Sequence, residues 1–213
     1  MKHAVLVNYN FDPLDWWVDY GFKPENVWLY DRSDDGIERK FNAKTFKMPN
    51  VGDVDFDKLG HLIEHYDSLP DVFLWGKSNL IGKSVEPEYL KEKLEKAEFA
   101  PLLKFDHKTY SDKFGEVNRY AGPIYEERAD SWFFNHPGLS NGNFRTWGDW
   151  ANHFMLPQKQ YIPFAPGGNY ILTKERVKRY SKDFYEEMRS MLPYAMHPAE
   201  AHACERTYYL LWK

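Results

Sequence analysis

The final part of the sequence carries a histidine, a glutamate and an arginine at helical spacing. His202, Glu205 and Arg206 share one face of a helix because they are three and four residues apart. A carboxylate with a histidine and an arginine one turn away could act as a general base toward a hydroxyl group. The same residues also fit an ordinary exposed Glu–Arg pair, which contributes little to stability. Glu205 is therefore a candidate base, and the surface pair is the alternative.

Polar clusters follow three apolar runs that are typical of buried strands. In open α/β sheets, ligands bind beyond the carboxyl ends of the strands, which is where these clusters would lie. Asp and Asn also favour turns for conformational reasons alone, so any single residue has that simpler explanation. Three clusters at one edge favour a binding site. They are Asn8-Tyr9-Asn10, Asp31 to Asp35, and Trp75-Gly76-Lys77-Ser78-Asn79.

Other possible ligand motifs are incomplete. No GxGxxG follows the first apolar run, and Gly82-Lys83-Ser84 lacks the glycine that a P-loop requires five residues earlier. An EF-hand calcium loop would need glycine where Lys58 stands. We interpret its acidic residues as favouring the positive end of a helix, with one or two able to touch a metal beside a phosphate. These residues are Asp53, Asp55, Asp57 and Glu64.

Two histidines four residues apart could form half of a zinc site. His61 and His65 have this spacing, but no HExxH motif is present. A zinc site needs a third convergent ligand. We therefore expect the pair to lie on a solvated helix face.

Strand and helix signals alternate through much of the chain. We predict strands over residues 4–9, 26–31, 44–48, 71–76, 101–105, 161–165 and 169–173. We predict helices from Asp57 to about Leu69, over 86–98, from Thr173 to about Met191, and from Pro198 to about Trp212. Strands separated by helices of this length indicate an α/β fold, with a mostly parallel mixed sheet flanked by helices.

Residues 106–160 lack this regularity and are rich in Gly, Asn, Pro and aromatic residues. Their Trp and Phe content argues against disorder. We interpret the segment as an irregular, ordered excursion over the carboxyl edge of the sheet. No repeat or linker is evident, so we predict one domain over residues 1–213. It would consist of a first half (1–105), the excursion (106–160) and a last part (161–213).

Composition excludes several classes of protein. The net charge of −4 lacks the electrostatic footprint of a duplex-binding protein. The single cysteine, Cys204, excludes an internal disulfide and cysteine-rich zinc sites. No apolar run is long enough to span a membrane or to form a signal peptide, so we expect a cytoplasmic protein. Aromatic residues make up 18% of the chain, and we expect most of them to fill the core.

Several segments, in order, resemble a known class of enzyme. AVLVNYN, VWLYDRSDDG, NVG with a following amphipathic helix, and DVFLWG resemble the N-terminal half of GT-A-type glycosyltransferases. PGGNYILTKERV resembles their Gly-Gly-Asn segment on the acceptor side, and Cys204-Glu205-Arg206 falls where many inverting members carry the base. More closely, HYDSLPDVFLWG and FAPGGNYILTKERVKRYSKDFYE resemble an uncharacterised family of glycosyltransferase-like domains of unknown function. The resemblance covers most of the chain except residues 107–155.

This resemblance implies a nucleotide-diphospho-sugar transferase architecture and an inverting transfer of sugar to a carbohydrate or other hydroxyl acceptor. Glu205 would be the general base, and His202 or Arg206 would set its charge. The residues implied to bind the nucleotide sugar are Asn8, Tyr9, Asn10, Asp31, Asp35, Asn50, Trp75 and Lys77. Those implied on the acceptor side are Gly167, Gly168, Asn169, Trp147 and Trp150, within an aromatic segment over 132–150.

One departure from the GT-A pattern concerns the metal. These enzymes usually carry a DxD after the central strand, which holds Mn²⁺ or Mg²⁺ against the diphosphate, but this chain has Trp75-Gly76-Lys77 there. Lys77 could meet the diphosphate as a point charge. The alternative is a non-catalytic, carbohydrate-binding relative. An aromatic-lined binder of single-stranded nucleic acid is a third interpretation, which the net charge disfavours.

Overall fold

The computed structural model describes residues 2–12, 15–130 and 132–213, and this part of the chain contains ten strands and six α-helices. The strands are β1 (His3–Asn8), β2 (Val27–Asp31), β3 (Lys44–Lys47), β4 (Val72–Lys77), β5 (Ala100–Pro101), β6 (Tyr110–Asp112), β7 (Gly115–Ala121), β8 (Ile124–Arg128), β9 (Tyr161–Phe164) and β10 (Tyr170–Thr173). The helices are α1 (Asp53–Glu64), α2 (Pro87–Lys96), α3 (Trp147–His153), α4 (Lys174–Val177), α5 (Lys182–Ser190) and α6 (Ala199–Trp212). None of the described helices is long and apolar enough to cross a bilayer.

Six strands form a mixed main sheet in the order β3-β2-β1-β4-β10-β5. The first four run parallel, whereas β10 is antiparallel to both β4 and β5. The chain builds outward from β1 to β2 and β3, then returns to place β4 on the other side of β1. This reversal makes the carboxyl ends of β1 and β4 a topological switch point, the usual ligand crevice of open α/β sheets. The expected α/β fold with a mixed, helix-flanked sheet is confirmed.

Strand register brings the polar strand ends together at one edge. Asn8 is paired with Asp31 of β2, and Val7 is paired with Lys77 of β4. Because β10 is antiparallel, its first residue, Tyr170, lies opposite Trp75 near the end of β4. The turn before β10 therefore reaches the same edge as the ends of the parallel strands.

The main sheet is covered on both faces, as the alternation of its side chains requires. Val5 and Val7 belong to one buried cluster, together with residues of α1, α5 and α6. Ala4 and Leu6 belong to a second cluster with Trp17 and residues of α2. Near-continuous apolar runs such as AVLV are typical of strands buried on both faces.

The interpretation of residues 106–160 as irregular is partly wrong. The segment contains β6, β7, β8 and α3, and the first three join β9 in an antiparallel sheet of four strands. These strands carry a weak sequence signal because β6 and β7 bury no side chain fully. Strand β9 pairs with β8 rather than with β10, so the turn over residues 166–168 connects the two sheets.

Three predicted element bounds also change. Helix α1 begins at Asp53, because the N–H groups of Gly52 and Asp53 bond to carbonyls of residues 195 and 196, which fixes the chain before the first turn. The long helix predicted after Thr173 is divided into α4 and α5, and Ser181 caps the second by accepting a bond from the Phe184 N–H. Of the strand predicted over 101–105, only Pro101 lies in a strand, the two-residue β5.

Candidate functional site

A small pocket of about 120 Å³ lies at the carboxyl edge of the main sheet. Helix α1 contributes its first turn, β4 its last residue, the turn between the sheets one glycine, and α6 one face. The lining residues are Asp53, Val54, Asp55, Lys77, Gly167, Ala201, His202 and Glu205. A larger, mostly apolar cavity of about 390 Å³ opens near the amino ends of β1 and β4. The chemistry-bearing side chains converge on the smaller pocket, so we take it as the candidate site.

Glu205 is held at both of its carboxylate oxygens. Its Oε1 accepts a hydrogen bond from the backbone N–H of Gly167, and its Oε2 lies 3.3 Å from Nη1 of Arg206. The side chain keeps 18% of its surface exposed, so the carboxylate is fixed but open toward the pocket. A fixed carboxylate within reach of a hydroxyl is the geometry of a general base.

Lys77 is the cation that lines the pocket. Its backbone N–H donates to Oδ1 of Asn169 at 3.0 Å, which ties the end of β4 to the turn between the sheets. The side chain is half-buried, and within the described chain no carboxylate lies within ion-pair distance of its ammonium group. Its charge is therefore available to an anionic ligand.

Asp53 is paired with a histidine that precedes α6. The Nδ1 atom of His197 lies 3.2 Å from Oδ2 of Asp53. Burial opposes ionisation of Asp53, but the bond from His197, the charge of Lys77 and the Val54 N–H together lower the pKa of its carboxyl group. The bond to Asp53 raises the pKa of His197 in turn. The two residues therefore favour an ionised pair at this side of the pocket.

A buried charged layer lies beneath the pocket. Asp55 accepts a hydrogen bond from the Tyr208 hydroxyl at 2.8 Å, and the ammonium group of Lys58 donates to the carbonyl of Gly168 at 2.7 Å. Burial raises the pKa of Asp55 and lowers the pKa of Lys58, while the opposite charge of each residue counteracts both shifts. Lys58 thus fixes the turn whose neighbouring N–H group holds Glu205.

Arg206 lies next to Glu205 and connects it to the second sheet. It is buried, and its Nε lies 2.5 Å from Oε2 of Glu127 on β8. Burial, followed by the charge of Arg206, lowers the pKa of His202, so the imidazole is neutral near pH 7. Arg206 rather than His202 therefore supplies positive charge to Glu205.

The strand-end residues predicted to bind a nucleotide form a hydrogen-bonded network of their own. Asn8 Nδ2 donates to Oδ1 of Asp31 at 3.1 Å, and Asn8 Oδ1 accepts from the Ser78 hydroxyl at 2.5 Å. Burial opposes the charge of Asp31, but the Ser33 hydroxyl and Asn8 donate to it and lower its pKa. Asn8 therefore links the ends of β1, β2 and β4 and is itself fully buried.

The more exposed residues of this edge are also paired with one another. Asn10 exchanges two hydrogen bonds with Asp34, and Asn50 donates to the same carboxylate at 2.8 Å. Asp35 forms an ion pair with Arg39 at 2.6 Å. Tyr9 is half-buried. Of the residues predicted to bind the nucleotide sugar, only Lys77 lines the pocket.

Three predicted tryptophan contacts are wrong. Trp75, Trp147 and Trp150 are at most 1% exposed, so none presents a ring face to a ligand. Trp75 packs edge-on against the ring of Tyr208, and the indole N–H of Trp150 donates to the Thr207 hydroxyl at 2.9 Å. All three belong to the core cluster between the sheets and helices.

The glycines and the asparagine that were predicted on the acceptor side differ in their position relative to the pocket. Gly167 lines the pocket, while Gly168 and Asn169 are buried. Asn169 holds the turn by accepting from the Lys77 N–H, so it acts on the pocket through the backbone.

The implied metal does not fit the residues present. Asp53 and Asp55 have the spacing of a DxD, but Oδ2 of Asp53 lies 3.2 Å from Nδ1 of His197, and Oδ1 of Asp55 accepts a hydrogen bond from the Tyr208 hydroxyl. In residues 2–12, 15–130 and 132–213, no group of three or more His, Cys, Asp or Glu side chains is placed to hold a metal ion.

The prediction that His61 lies on a solvated helix face is also wrong, because His61 is 2% exposed and bonds to the Tyr30 hydroxyl at 2.8 Å.

Sequence reasoning did not assign His197 or Lys58 to the site, and it included Trp132 only within the aromatic segment over 132–150 on the acceptor side. His197 lies in a loop, and no local pattern relates it to Asp53, which is 144 residues away. Lys58 does follow Asp55 at a helical spacing of three, a signal for a buried pair beneath the first turn.

Comparison of the chain with models of protein families, with curated proteins and with solved structures gave no match. The function is therefore inferred from the geometry and chemistry of the site.

Proposed function

We propose that the protein is a nucleotide-sugar glycosyltransferase with a GT-A-like architecture. The observation that carries the proposal is that Lys77 and Glu205, on different elements, line one pocket at the switch point of the main sheet. A cation beside a carboxylate at this point suits a reaction in which an anionic group leaves and a hydroxyl group is deprotonated. The four parallel strands, continued by an antiparallel one, support the same architecture.

In this reaction Lys77 contacts the diphosphate of the donor. The ammonium group is a compact charge with three donors, suited to the negative charge that develops on the leaving oxygen. The described residues offer no metal site beside it. We therefore assign the stabilisation of the leaving diphosphate to Lys77, and no step in the proposed reaction passes through a metal.

Glu205 is the base in the same displacement. Its carboxylate takes the proton of an acceptor hydroxyl while that oxygen bonds to the anomeric carbon. The bond from this carbon to the diphosphate oxygen breaks, and the diphosphate leaves with the electron pair. Attack on the face opposite the leaving group inverts the anomeric configuration. The Gly167 N–H and Arg206 hold the carboxylate of Glu205 in position for this step.

A thermal-shift panel tests donor binding. Nucleoside diphosphates and nucleotide sugars are added with Mn²⁺ or with EDTA, and a ligand that binds only the folded state raises the melting temperature. We expect one base to give the largest shift in both conditions. Lys77→Met should weaken this binding about tenfold or more, as expected for a lost hydrogen bond between charged groups. Lys91→Met, on the exposed face of α2, is the matched control.

Two results would contradict the proposal. One is a cooperatively unfolding protein that shifts with no nucleotide. The other is nucleotide binding that Lys77→Met leaves unchanged.

A second candidate is a carbohydrate-binding relative that performs no transfer. The observation that favours it is the strand-end network, in which Asn8, Asp31 and Asn10 bond to protein groups rather than pointing into the pocket. A protein of this kind would bind a saccharide and shift with no nucleotide in the same panel.

A further inference from the structure

A tryptophan beside the pocket is exposed. Trp132 exposes 44% of its surface, whereas the other tryptophans of the described chain are buried or half-buried. Single exposed apolar residues are ordinary on protein surfaces. The position of Trp132 is what distinguishes it, because its ring lies 5.2 Å, between centroids, from that of His202, which lines the pocket.

The orientation of Trp132 is fixed from two sides. Its indole N–H donates to Oε1 of Glu127 at 3.3 Å, and its ring meets Phe133 edge-on at 5.7 Å. An aromatic ring that is held in place and partly exposed offers a binding surface at low conformational cost.

The same glutamate connects Trp132 to the proposed base. Glu127 contacts the Trp132 indole through Oε1 and Arg206 through Oε2, and Arg206 contacts Glu205. Trp132, Glu127, Arg206 and Glu205 therefore form one continuous chain of contacts from the exposed ring to the pocket. Trp132 is therefore held by the same glutamate that holds Arg206 beside Glu205.

We propose that Trp132 is the stacking platform of a saccharide subsite at the mouth of the Glu205 pocket. The apolar C–H face of a pyranose ring would lie on the indole, while its hydroxyl groups would meet the carboxylates of the pocket. The proposal names the acceptor of the transfer as a saccharide. Its link to sugar transfer rests on the proposed function, but saccharide binding itself needs no nucleotide.

The test measures saccharide binding without any nucleotide. A panel of di- and trisaccharides with gluco, galacto and manno configurations is screened by saturation-transfer NMR, and the best member is titrated by calorimetry. Trp132→Ala should weaken its binding about tenfold, the scale of one aromatic contact, while Trp132→Phe should keep part of it. Phe105→Ala is the control. Phe105 is 51% exposed and contacts Tyr120, toward the opposite end of the second sheet.

The outcomes separate this proposal from that of transferase activity. Saccharide binding that depends on Trp132 supports the subsite even if no nucleotide binds, in which case only the transfer proposal fails. Saccharide binding that Trp132→Ala leaves unchanged overturns the subsite even if transfer occurs. The subsite proposal is also overturned if no saccharide of the panel binds. It is overturned as well if Trp132→Ala loses nucleotide binding but keeps saccharide binding.

Discussion

The backbone N–H of Gly167 donates a hydrogen bond to the carboxylate of Glu205, which lies 38 residues later in the chain. The turn that carries Gly167 connects the second sheet to the main sheet. The position of the proposed base therefore depends on the conformation of this turn. Lys58 and Asn169 fix the turn from the other side through the Gly168 carbonyl and the Lys77 N–H.

Gly167→Ala should destabilise the protein more than a comparable change elsewhere. Gly167 has φ +87°, and an added Cβ would lie 2.7 Å from Nδ2 of Asn169. Gly142 has φ +84° with no atom within 4 Å of an added Cβ, so Gly142→Ala would cost only the backbone strain, about 1 kcal/mol. Urea unfolding of both variants measures the difference. Equal losses of stability would show that the turn has room beside Asn169.

Lys58→Met should lower the free energy of unfolding by about 2 kcal/mol or more, because a buried charged hydrogen bond is lost and Asp55 loses a compensating charge. In an Asp55→Asn background, Lys58→Met should lower the free energy of unfolding by less, because the neutral amide of the asparagine needs no opposite charge. A double-mutant cycle by urea unfolding measures this coupling. Strictly additive effects would mean that the charges of Asp55 and Lys58 are independent in the folded protein.

His61 should make the protein sensitive to mild acid. Burial, with a smaller effect of His65, lowers the pKa of His61 to about 3 from an unfolded value of 6.5. The unfolded chain therefore takes up a proton below pH 6.5 that the folded protein does not. The stability due to neutral His61 is complete above pH 6.5 and is lost progressively as the pH falls toward 3.

The measurement for His61 is urea unfolding at pH 6.5 and at pH 5. The wild-type protein should lose roughly 2 kcal/mol more over this interval than His61→Asn does, because that variant has no imidazole to protonate. Both proteins retain the other titrating groups, so their difference isolates His61. Parallel stability curves for the two proteins would contradict a buried, neutral His61.

The strands of the main sheet were predictable because each buried strand is a short apolar run that ends in polar residues. The runs over residues 4–9, 26–31 and 71–76 correspond to β1, β2 and β4 within one residue at each end. The second sheet was not predictable in this way. Its strands β6 and β7 bury little, so their sequences carry no clear period of two.

The pocket was predictable where its residues share an element. His202 and Glu205 have helical spacing, and Lys77 follows a strong strand signal. Tertiary contacts determined the rest. His197 meets Asp53 across 144 residues, and the sequence does not distinguish the exposed Trp132 from the buried Trp147 and Trp150. All three tryptophans lie in the same aromatic segment over 132–150, and packing against the rest of the chain determines which ring faces solvent.

The most direct test of the proposed function is turnover of a nucleotide sugar by the wild-type protein and by Glu205→Gln. The assay measures release of the nucleoside diphosphate with the donor and saccharide identified in the binding panels. We expect Glu205→Gln to lower turnover by a factor of about 10² or more, the usual contribution of a general base, while the nucleotide still raises the melting temperature. Wild-type turnover in Glu205→Gln, or no turnover by a wild-type protein that binds both ligands, would contradict the assignment of Glu205 as the base of a sugar transfer.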